Sequence, residues 1–429
     1  MPQVFTYEGG RKGVLIEPGL RVQQTDPPSA QIADLKNGNT VWHSGMEVIK
    51  AANRPTNIYG FDQHSYGGSG SVYNHDLNRD PGATGVPVEI TEPCVLLKAK
   101  TLPRLGLNIL GGTTDRESQT AMSALHFVDE LPPAGSLPPP IGCPFQISRY
   151  VRDDIDFDVL PRVTPLSEAG DPSVFLNRIR RVNFMQVRGI PRGEAFRNGA
   201  SMWVGYASHA AQYMIGAEYA LCCDLEGLED EFAVQFVIIA QDILEACKQN
   251  FNFASNIGLG GVWPGYKLIL LIGAKLTGSQ EMYDFARPEN YNKWAEDRQC
   301  IYVTEENLEG GGKGDYIEDD LGMPEWVENK FYYQFKPASR SPNLMYRPMF
   351  RRHQFGQSAI AHLLGLVDAW GNDAFFDYSD RIYRNTFYKD PNSEFGYGFG
   401  GGSNTTTTLQ RAMYETYVPP RWNWSMTDG

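Results

Sequence analysis

The sequence predicts an α+β multidomain protein, with an N-terminal β-rich, sandwich-like domain followed by an α-helical domain of bundle or (α/α)-toroid type. Two observations predict this class. Short apolar runs are broken by turn residues up to about residue 130, and apolar residues recur at three- and four-residue steps after about residue 200. With 429 residues, 41% of them hydrophobic, the chain is long enough for two or three domains with sizeable cores.

Residues 1–130 form the predicted β-rich domain. Its apolar runs are separated at close spacing by Gly, Pro, Asn and Asp, which is typical of an antiparallel sandwich or barrel. The Gly-, Ser- and Tyr-rich stretch 59–74 is predicted to be a long functional loop. Strands are predicted at 13–17, 86–90, 95–100 and 123–128.

A Pro-rich connector and a bridging segment occupy residues 131–195. The prolines and glycines of 131–145 exclude a helix or a central strand, so this stretch is expected to run extended over the surface. The bridging segment that follows is rich in Asp and Arg.

Residues 196–390 form the predicted helical domain, and residues 391–429 a Gly-, Thr- and Trp-rich tail that is predicted to be loop-like. Amphipathic helices joined by short turns pack as an antiparallel bundle or an (α/α) toroid. Between the helix pairs, 300–350 is predicted to be less regular. Helices are predicted at 201–222, 228–248, 266–276, 279–286, 355–370 and 373–385.

Composition excludes several classes of protein. A net charge of −13 argues against a broad basic surface of the kind that binds nucleic acid. The sequence contains no run of 18 apolar residues, so no membrane-spanning helix is predicted. The N-terminal segment lacks the apolar stretch of a signal peptide, so synthesis in the cytoplasm is expected. The six cysteines form no CxxC pair, which argues against a metal cluster or disulfide framework. Aromatic residues make up 12% of the chain, which suits sugar stacking, protein interfaces or simply an aromatic-rich core.

Several segments in a fixed order carry a resemblance over roughly residues 90–385. They are PPAGSLPPP, ALCCDLEGLED, GLGGVWPGYK, DRQCIYVTEEN, LGMPEW and QSAIAHLLGLVDAWGNDAFFDYSDRI. The order resembles a set of largely uncharacterised bacterial and phage-borne proteins whose helical part is similar to the (α/α) toroids of polysaccharide lyases and glycoside hydrolases. Those relatives carry a His and an Arg where this chain has Val262 and Tyr266, a departure that counts against catalysis.

The first candidate catalytic group lies on the helix predicted at 201–222. His209 and Tyr213 are four residues apart and so lie on one helix face, with Tyr206 as a neighbouring substrate contact. A His and a Tyr are what a polysaccharide lyase uses to remove the proton next to a uronate carboxylate and to protonate the leaving oxygen. The alternative is that His209 is a hydrogen-bonded core histidine.

The second candidate group is the basic run Tyr346, Arg347, Arg351, Arg352 and His353 in an otherwise acidic protein. Planar guanidinium groups suit carboxylates and sulfates, and His353 beside them is favoured as a neutral general base. The alternatives are structural ion pairs to the acidic segment 305–328, or an exposed solvated face.

Further candidate substrate contacts are aromatic side chains predicted to lie on loops. Trp263 and Tyr266 belong to the Gly-rich segment, and Trp326 follows Glu325, a combination that suits a sugar-stacking platform. The neighbouring carboxylates Glu296 and Asp297 are the residue type that glycoside hydrolysis needs, although spacing alone does not place them across a sugar ring.

No cofactor is expected, except that a Ca²⁺ ion is an alternative at one acidic segment. The acidic segment containing Asp315, Glu318, Asp319 and Asp320 offers clustered oxygens of the kind that bind Ca²⁺. It lacks the spacing of an EF-hand, and a solvated acidic loop is the alternative.

These features predict a glycan-directed surface protein (a fibre, spike or tail component of a phage-like particle) that binds host polysaccharide. It is expected to form a homo-oligomer with other structural proteins of a virion. One alternative is a polysaccharide lyase or glycoside hydrolase acting on an acidic polysaccharide. The second alternative is a purely structural assembly protein.

Overall fold

The protein is described here from a computed structural model. The description covers residues 2–33, 40–50, 75–102, 118–141, 148–180, 207–254, 265–309, 316, 318–326, 347–389 and 404–421. Helices and strands are both present, so the predicted mixed α and β class is confirmed.

Eleven strands lie in the described residues, most of them in the first third of the chain. They are β1 (Val4–Thr6), β2 (Lys12–Leu15), β3 (Arg21–Val22), β4 (Ala30–Ala33), β5 (Thr40–His43), β6 (Met46–Lys50), β7 (Val88–Glu89), β8 (Cys94–Leu102), β9 (Ser118–Val128), β10 (Cys300–Tyr302) and β11 (Pro324–Trp326).

Twelve α-helices lie in the same described residues. They are α1 (Pro81–Thr84), α2 (Pro172–Ile179), α3 (Ala207–Cys222), α4 (Leu228–Lys248), α5 (Tyr266–Thr277), α6 (Gln280–Ala286), α7 (Ala295–Gln299), α8 (Glu305–Glu309), α9 (Arg347–Leu363), α10 (Val367–Trp370), α11 (Asp373–Lys389) and α12 (Asn404–Tyr417).

The main sheet has five strands in the order β1-β2-β9-β8-β6. The predicted strands at 95–100 and 123–128 lie within β8 and β9, whereas the run at 86–90 contains only the two-residue β7. The expectation of a wholly antiparallel sheet is wrong, because β2 pairs with β9 in parallel. The loop predicted at 59–74 lies outside the described residues.

Strand β8 buries side chains on both faces of the sheet, to which successive residues of a strand point in alternation. Val95 and Leu97 of β8 belong to the same large apolar cluster as the helices, whereas Cys94 and Leu96 belong to a second, smaller cluster. One face of the sheet therefore shares the core of the helical part. The predicted domain boundaries stay predictions.

The Pro-rich connector departs from its predicted surface course. Residues 136–141 are buried, and Leu137 and Ile141 are fully inside the large core. The backbone N–H of Ile141 donates to the Asp242 carboxylate of α4 at 2.6 Å, and the N–H of Leu137 donates to the Tyr150 carbonyl at 2.9 Å. The segment is extended as expected, but it lies in the interior because its apolar side chains pack in the core and its backbone N–H groups have hydrogen-bond acceptors there.

Helix α4 has the predicted bounds but is not amphipathic. Residues 232–245 are all buried, and three of their polar side chains, those of Gln235, Asp242 and Glu245, have partners elsewhere in the chain. Gln235 donates to the Gly9 carbonyl at 3.0 Å, and Glu245 pairs with Arg149. Because α5 is buried along most of its length as well, the two helices form the centre of the helical part.

The C-terminal segment 404–417 is a helix, which corrects the prediction of a loop-like tail. A run of β-branched threonines lowers helix propensity, so the local sequence favours a loop here. Burial of Leu409, Met413 and Tyr414 against the other helices outweighs that propensity. The Tyr414 ring stacks on Tyr383 with centroids 4.3 Å apart.

The close contact between α4 and α5 depends on Gly273. A Cβ atom on Gly273 would lie 2.3 Å from the Cβ of Ala240, a distance that forces the two helices apart. We expect Gly273→Ala to destabilise the fold by about 1–3 kcal/mol, even though Ala favours a helix over Gly by up to about 1 kcal/mol. Urea denaturation measures the change, and a gain in stability would show that the helices do not meet here.

Candidate functional site

The helical core contains a group of buried ionisable side chains, which we call the acid–lysine cluster. Its members are Glu218 of α3, Lys267 of α5, and Glu296 and Asp297 of α7. Such charges are rarely buried unless they are paired or protonated. The state of each carboxyl group therefore follows from its neighbours.

Aromatic packing holds α7, the helix that carries two of these carboxyl groups. Trp294, which precedes α7, is fully buried and stacks on Phe253 with ring centroids 4.6 Å apart. Its indole Nε1–H donates to the Phe285 carbonyl at 2.8 Å, so both its apolar ring and its polar atom have partners. This anchor fixes the position of Glu296 and Asp297 in the first turn of α7.

Lys267 and Asp297 form an ion pair inside the core. Nζ of Lys267 lies 2.6 Å from Oδ1 and 2.7 Å from Oδ2 of Asp297, with the side chains 0% and 4% exposed. Burial lowers the pKa of Lys267 and raises that of Asp297, and in each case the partner's charge opposes the effect. The Trp370 ring centroid lies 5.1 Å from Nζ, and Nδ2 of Asn372 donates to Asp297 at 3.4 Å.

Glu296 has a different environment from its neighbour Asp297. Its Oε1 accepts the backbone N–H of Gly265 at 2.6 Å, and its Oε2 has no hydrogen-bond partner within the described residues. Burial is the main cause that raises the pKa of Glu296 to about 7, although the Gly265 N–H works in the opposite direction. This carboxyl group therefore exchanges its proton near neutral pH.

Glu218 is the most isolated of the carboxyl groups of the cluster. It is 1% exposed, and neither of its carboxyl oxygens has a hydrogen-bond partner in the part of the chain that is described. Burial, and then the charge of Glu296, raise the pKa of Glu218 well above its ordinary value. Burial thus favours the protonated form of both carboxyl groups, and we call the two residues the acid pair.

A second buried ion pair lies beside the cluster, between Glu325 of β11 and Arg381 of α11. The two side chains are 0% and 1% exposed and 3.8 Å apart, and Arg381 also donates to the Pro324 carbonyl. Glu325 was expected on a loop. The structure places it in a strand, opposite Ile301 of β10, because the short β10–β11 pair orders this segment.

Glu296 and Asp297 are candidates from the sequence alone, whereas Glu218 and Lys267 are not among the residues predicted from it. A signal for Glu218 was present, because it is the one Asp, Glu, Lys or Arg residue in the sequence 207–223. Lys267 likewise precedes a run of seven residues without charge in α5. A lone charge in an apolar helix predicts a buried partner, but it does not identify that partner.

The structure describes only part of the predicted site, and every predicted role in it stays a prediction. His353 is buried in α9, a helix that begins at residue 347 within the stretch expected to be irregular. Tyr266 is 2% exposed and packs against Phe253, with ring centroids 5.2 Å apart. The side chains of the remaining members lie outside the described residues: His209, Tyr213, Tyr206, Trp263, Trp326, Tyr346, Arg347, Arg351 and Arg352.

The calcium site also stays a prediction. Glu318, Asp319 and Asp320 form a single 3-10 turn in which Asp320 is buried, and Asp315 lies outside the described residues. Within the described ranges, no group of three or more His, Cys, Asp or Glu side chains is arranged to hold a metal ion.

Comparison with known proteins does not assign a family. Family models, curated proteins and solved structures gave no match to this chain. The resemblance to phage-borne and toroid proteins therefore stays a prediction. Among the described helices, none combines the length and the apolarity that a bilayer crossing requires.

Proposed function

We propose that the chain is a polysaccharide-directed protein that hydrolyses an acidic glycan, with Glu218 and Glu296 as its acid–base pair. The observation that carries this proposal is the burial of the two carboxyl groups. Glu218 is buried without a hydrogen-bond partner among the described residues, the charge of Glu296 acts on it, and burial raises the pKa of Glu296 to about 7. Two carboxyl groups, one of them held protonated as the acid, are the requirement for glycoside hydrolysis.

The proposed step uses each carboxyl group once. The Glu218 O–H donates its proton to the glycosidic oxygen as the bond from that oxygen to the anomeric carbon breaks. The ionised Glu296 carboxylate takes a proton from a water molecule, whose oxygen bonds to the anomeric carbon. Asp297 contributes no charge to this exchange, because Lys267 neutralises it.

The Gly-rich sequence 255–264 supports a role for this region in binding. It leads directly into Gly265, whose N–H holds Glu296 and whose φ of 95° is a conformation that favours glycine. The hydrogen bond from Gly265 is the contact that most opposes the raised pKa of Glu296, so the Gly-rich sequence adjoins the proposed base.

Substitution of the pair by glutamine tests the proposal. Glutamine has the shape of a protonated glutamic acid but does not exchange a proton, so Glu218→Gln and Glu296→Gln are each expected to lower the rate at least about 100-fold. Release of reducing ends from a panel of uronate-containing and sulfated polysaccharides measures the rate. Glu289→Gln, at a side chain that is 60% exposed, is the matched control and is expected to keep full activity. Absence of cleavage by the unaltered protein across the panel would reject the proposal.

A second candidate is a glycan-binding surface protein of a phage-like particle that does not cleave its ligand. The observation that favours it is the low exposure of the acid pair, 1% for Glu218 and 4% for Glu296. Binding to a glycan array without release of product, and loss of that binding in Arg351→Ala, would support this candidate. A fixed oligomer that neither binds nor cleaves glycan would support an assembly role instead.

A further inference from the structure

Arg421, the last of the described residues, lies on an acidic face of α11. Its guanidinium Nη2 is 2.7 Å from Oδ1 of Asp373, and its Nε is 3.1 Å from Oδ1 of Asp377. Its backbone N–H donates to Oδ2 of Asp380 at 3.1 Å. The guanidinium carbon lies 5.3 Å from the centroid of the Phe376 ring, so one residue is held by three carboxylates and an aromatic face.

The spacing of these carboxylates explains why an arginine fits. Asp373, Asp377 and Asp380 follow one another at steps of four and three residues, which places them on one side of the helix. The hydroxyl of Tyr302 donates to Oδ2 of Asp377 at 2.5 Å and orients that carboxylate. A planar guanidinium offers several fixed donors and also stacks on rings, whereas an ammonium group satisfies fewer of these contacts.

The same end of α11 contacts the acid–lysine cluster. Asn372 directly precedes Asp373, and its Nδ2 donates to Asp297 at 3.4 Å and to the Cys300 carbonyl at 3.2 Å. Trp370, two residues earlier, packs its ring beside the Lys267 ammonium. The corner formed by 370–373 is thus bound to the cluster on one side and to Arg421 on the other.

We infer that the acidic face of α11 is a guanidinium-binding site that the chain's own Arg421 occupies, and that this docking holds the corner 370–373 against the Lys267–Asp297 pair. Undocking of Arg421 frees Asp373, loosens Asn372 and opens the cluster to water. The C-terminal segment thereby acts as a strap on the cluster. This inference does not depend on the proposed glycan cleavage.

Two measurements that do not require activity test the strap. Hydrogen exchange followed by mass spectrometry reports the opening of peptides that cover 370–380, and acylation by a small anhydride reports the exposure of Lys267. We expect Arg421→Gln to raise both rates about three- to tenfold, because partly exposed charge-assisted hydrogen bonds stabilise the docked state only modestly. Both rates in Arg421→Lys are expected to lie between those of the unaltered protein and those of Arg421→Gln. Arg411→Gln, which removes an exposed pair with Glu415 on α12, is the control and is expected to change neither rate.

A ligand experiment separates a binding site from a general loss of stability. An uncharged-backbone arginine derivative such as N-acetylarginine amide, added at millimolar concentration to Arg421→Gln, is expected to restore part of the protection. The lysine analogue at equal ionic strength is expected to restore less. Arg421→Gln with rates equal to the unaltered protein, or equal rescue by both analogues, overturns the inference. If Arg421→Gln loses its near-ultraviolet circular dichroism, Arg421→Lys carries the test, and unchanged rates in that variant likewise overturn it.

Discussion

Lys267→Met is expected to destabilise the folded protein by about 3–5 kcal/mol, because it leaves the Asp297 carboxylate buried without its counter-charge. The two oxygens of Asp297 lie within 2.7 Å of the Lys267 ammonium, and the remaining Asn372 contact is long at 3.4 Å. Since the stability of a folded domain is about 5–15 kcal/mol in total, a loss of this size is a large part of it. Urea denaturation followed by circular dichroism measures the change.

Removal of both charges provides the control for that prediction. In the double variant Lys267→Met/Asp297→Leu no charge remains unpaired, and most of the lost stability is expected to return. The penalty in Lys267→Met is also expected to grow with rising pH, because burial has raised the pKa of Asp297 and its ionised form is the one that lacks a partner. A single variant that is as stable as the unaltered protein would show that the ion pair is not buried as described.

The stability of the protein is expected to fall as the pH rises from about 5 to about 7, by roughly 2–3 kcal/mol. Burial raises the pKa of Glu296 from its ordinary 4.5 to about 7. Between these two values the folded state holds a proton that the unfolded state has released. The stabilisation that this proton provides is fully present below the pKa of Glu296 in the unfolded state. It is lost as the pH rises through the pKa of Glu296 in the folded state. Burial also raises the pKa of Glu218 well above its ordinary value, so Glu218 contributes in the same direction.

Comparison with Glu296→Gln isolates this contribution. Glutamine does not titrate, so the slope of unfolding free energy against pH is expected to become shallower in the variant, at about pH 5, 6, 7 and 8. Glu289→Gln, at an exposed position, is expected to keep the slope of the unaltered protein. Equal slopes in all three proteins would mean that Glu296 is ionised throughout, and the proposed acid–base pair would lose its support.

Elements with strong periodicity could be predicted closely from the sequence. Helix α4 has the predicted bounds because Gly227 directly precedes it and a long apolar pattern continues to Lys248. Helix α12 was missed because its threonines disfavour a helix locally, and the packing of Leu409 and Met413 that stabilises it depends on distant residues. The buried course of 136–141 was missed for the same reason, since its partner Asp242 lies on a helix about one hundred positions later.

The candidate site was less predictable than the fold. Adjacent carboxylates such as Glu296 and Asp297 can be identified from a sequence, but the difference in their ionisation cannot be predicted from it. Lys267 lies 30 positions from Asp297, and only the folding of the chain brings the two together. Burial then separates an ionised carboxylate from one that titrates near pH 7, which is a property of the folded environment and not of residue type.

The contact between the N-terminal hairpin and α4 has a consequence for how the chain acquires its fold during synthesis. The Gly9 carbonyl accepts a hydrogen bond from Gln235, which is 226 positions later, and β2 finds its parallel partner only when β9 has been made. Strands β1 and β2 therefore emerge from the ribosome long before the surfaces that cover them exist. Because contacts of such long sequence separation form slowly, the surfaces of β1 and β2 are exposed to other proteins until α4 has been translated.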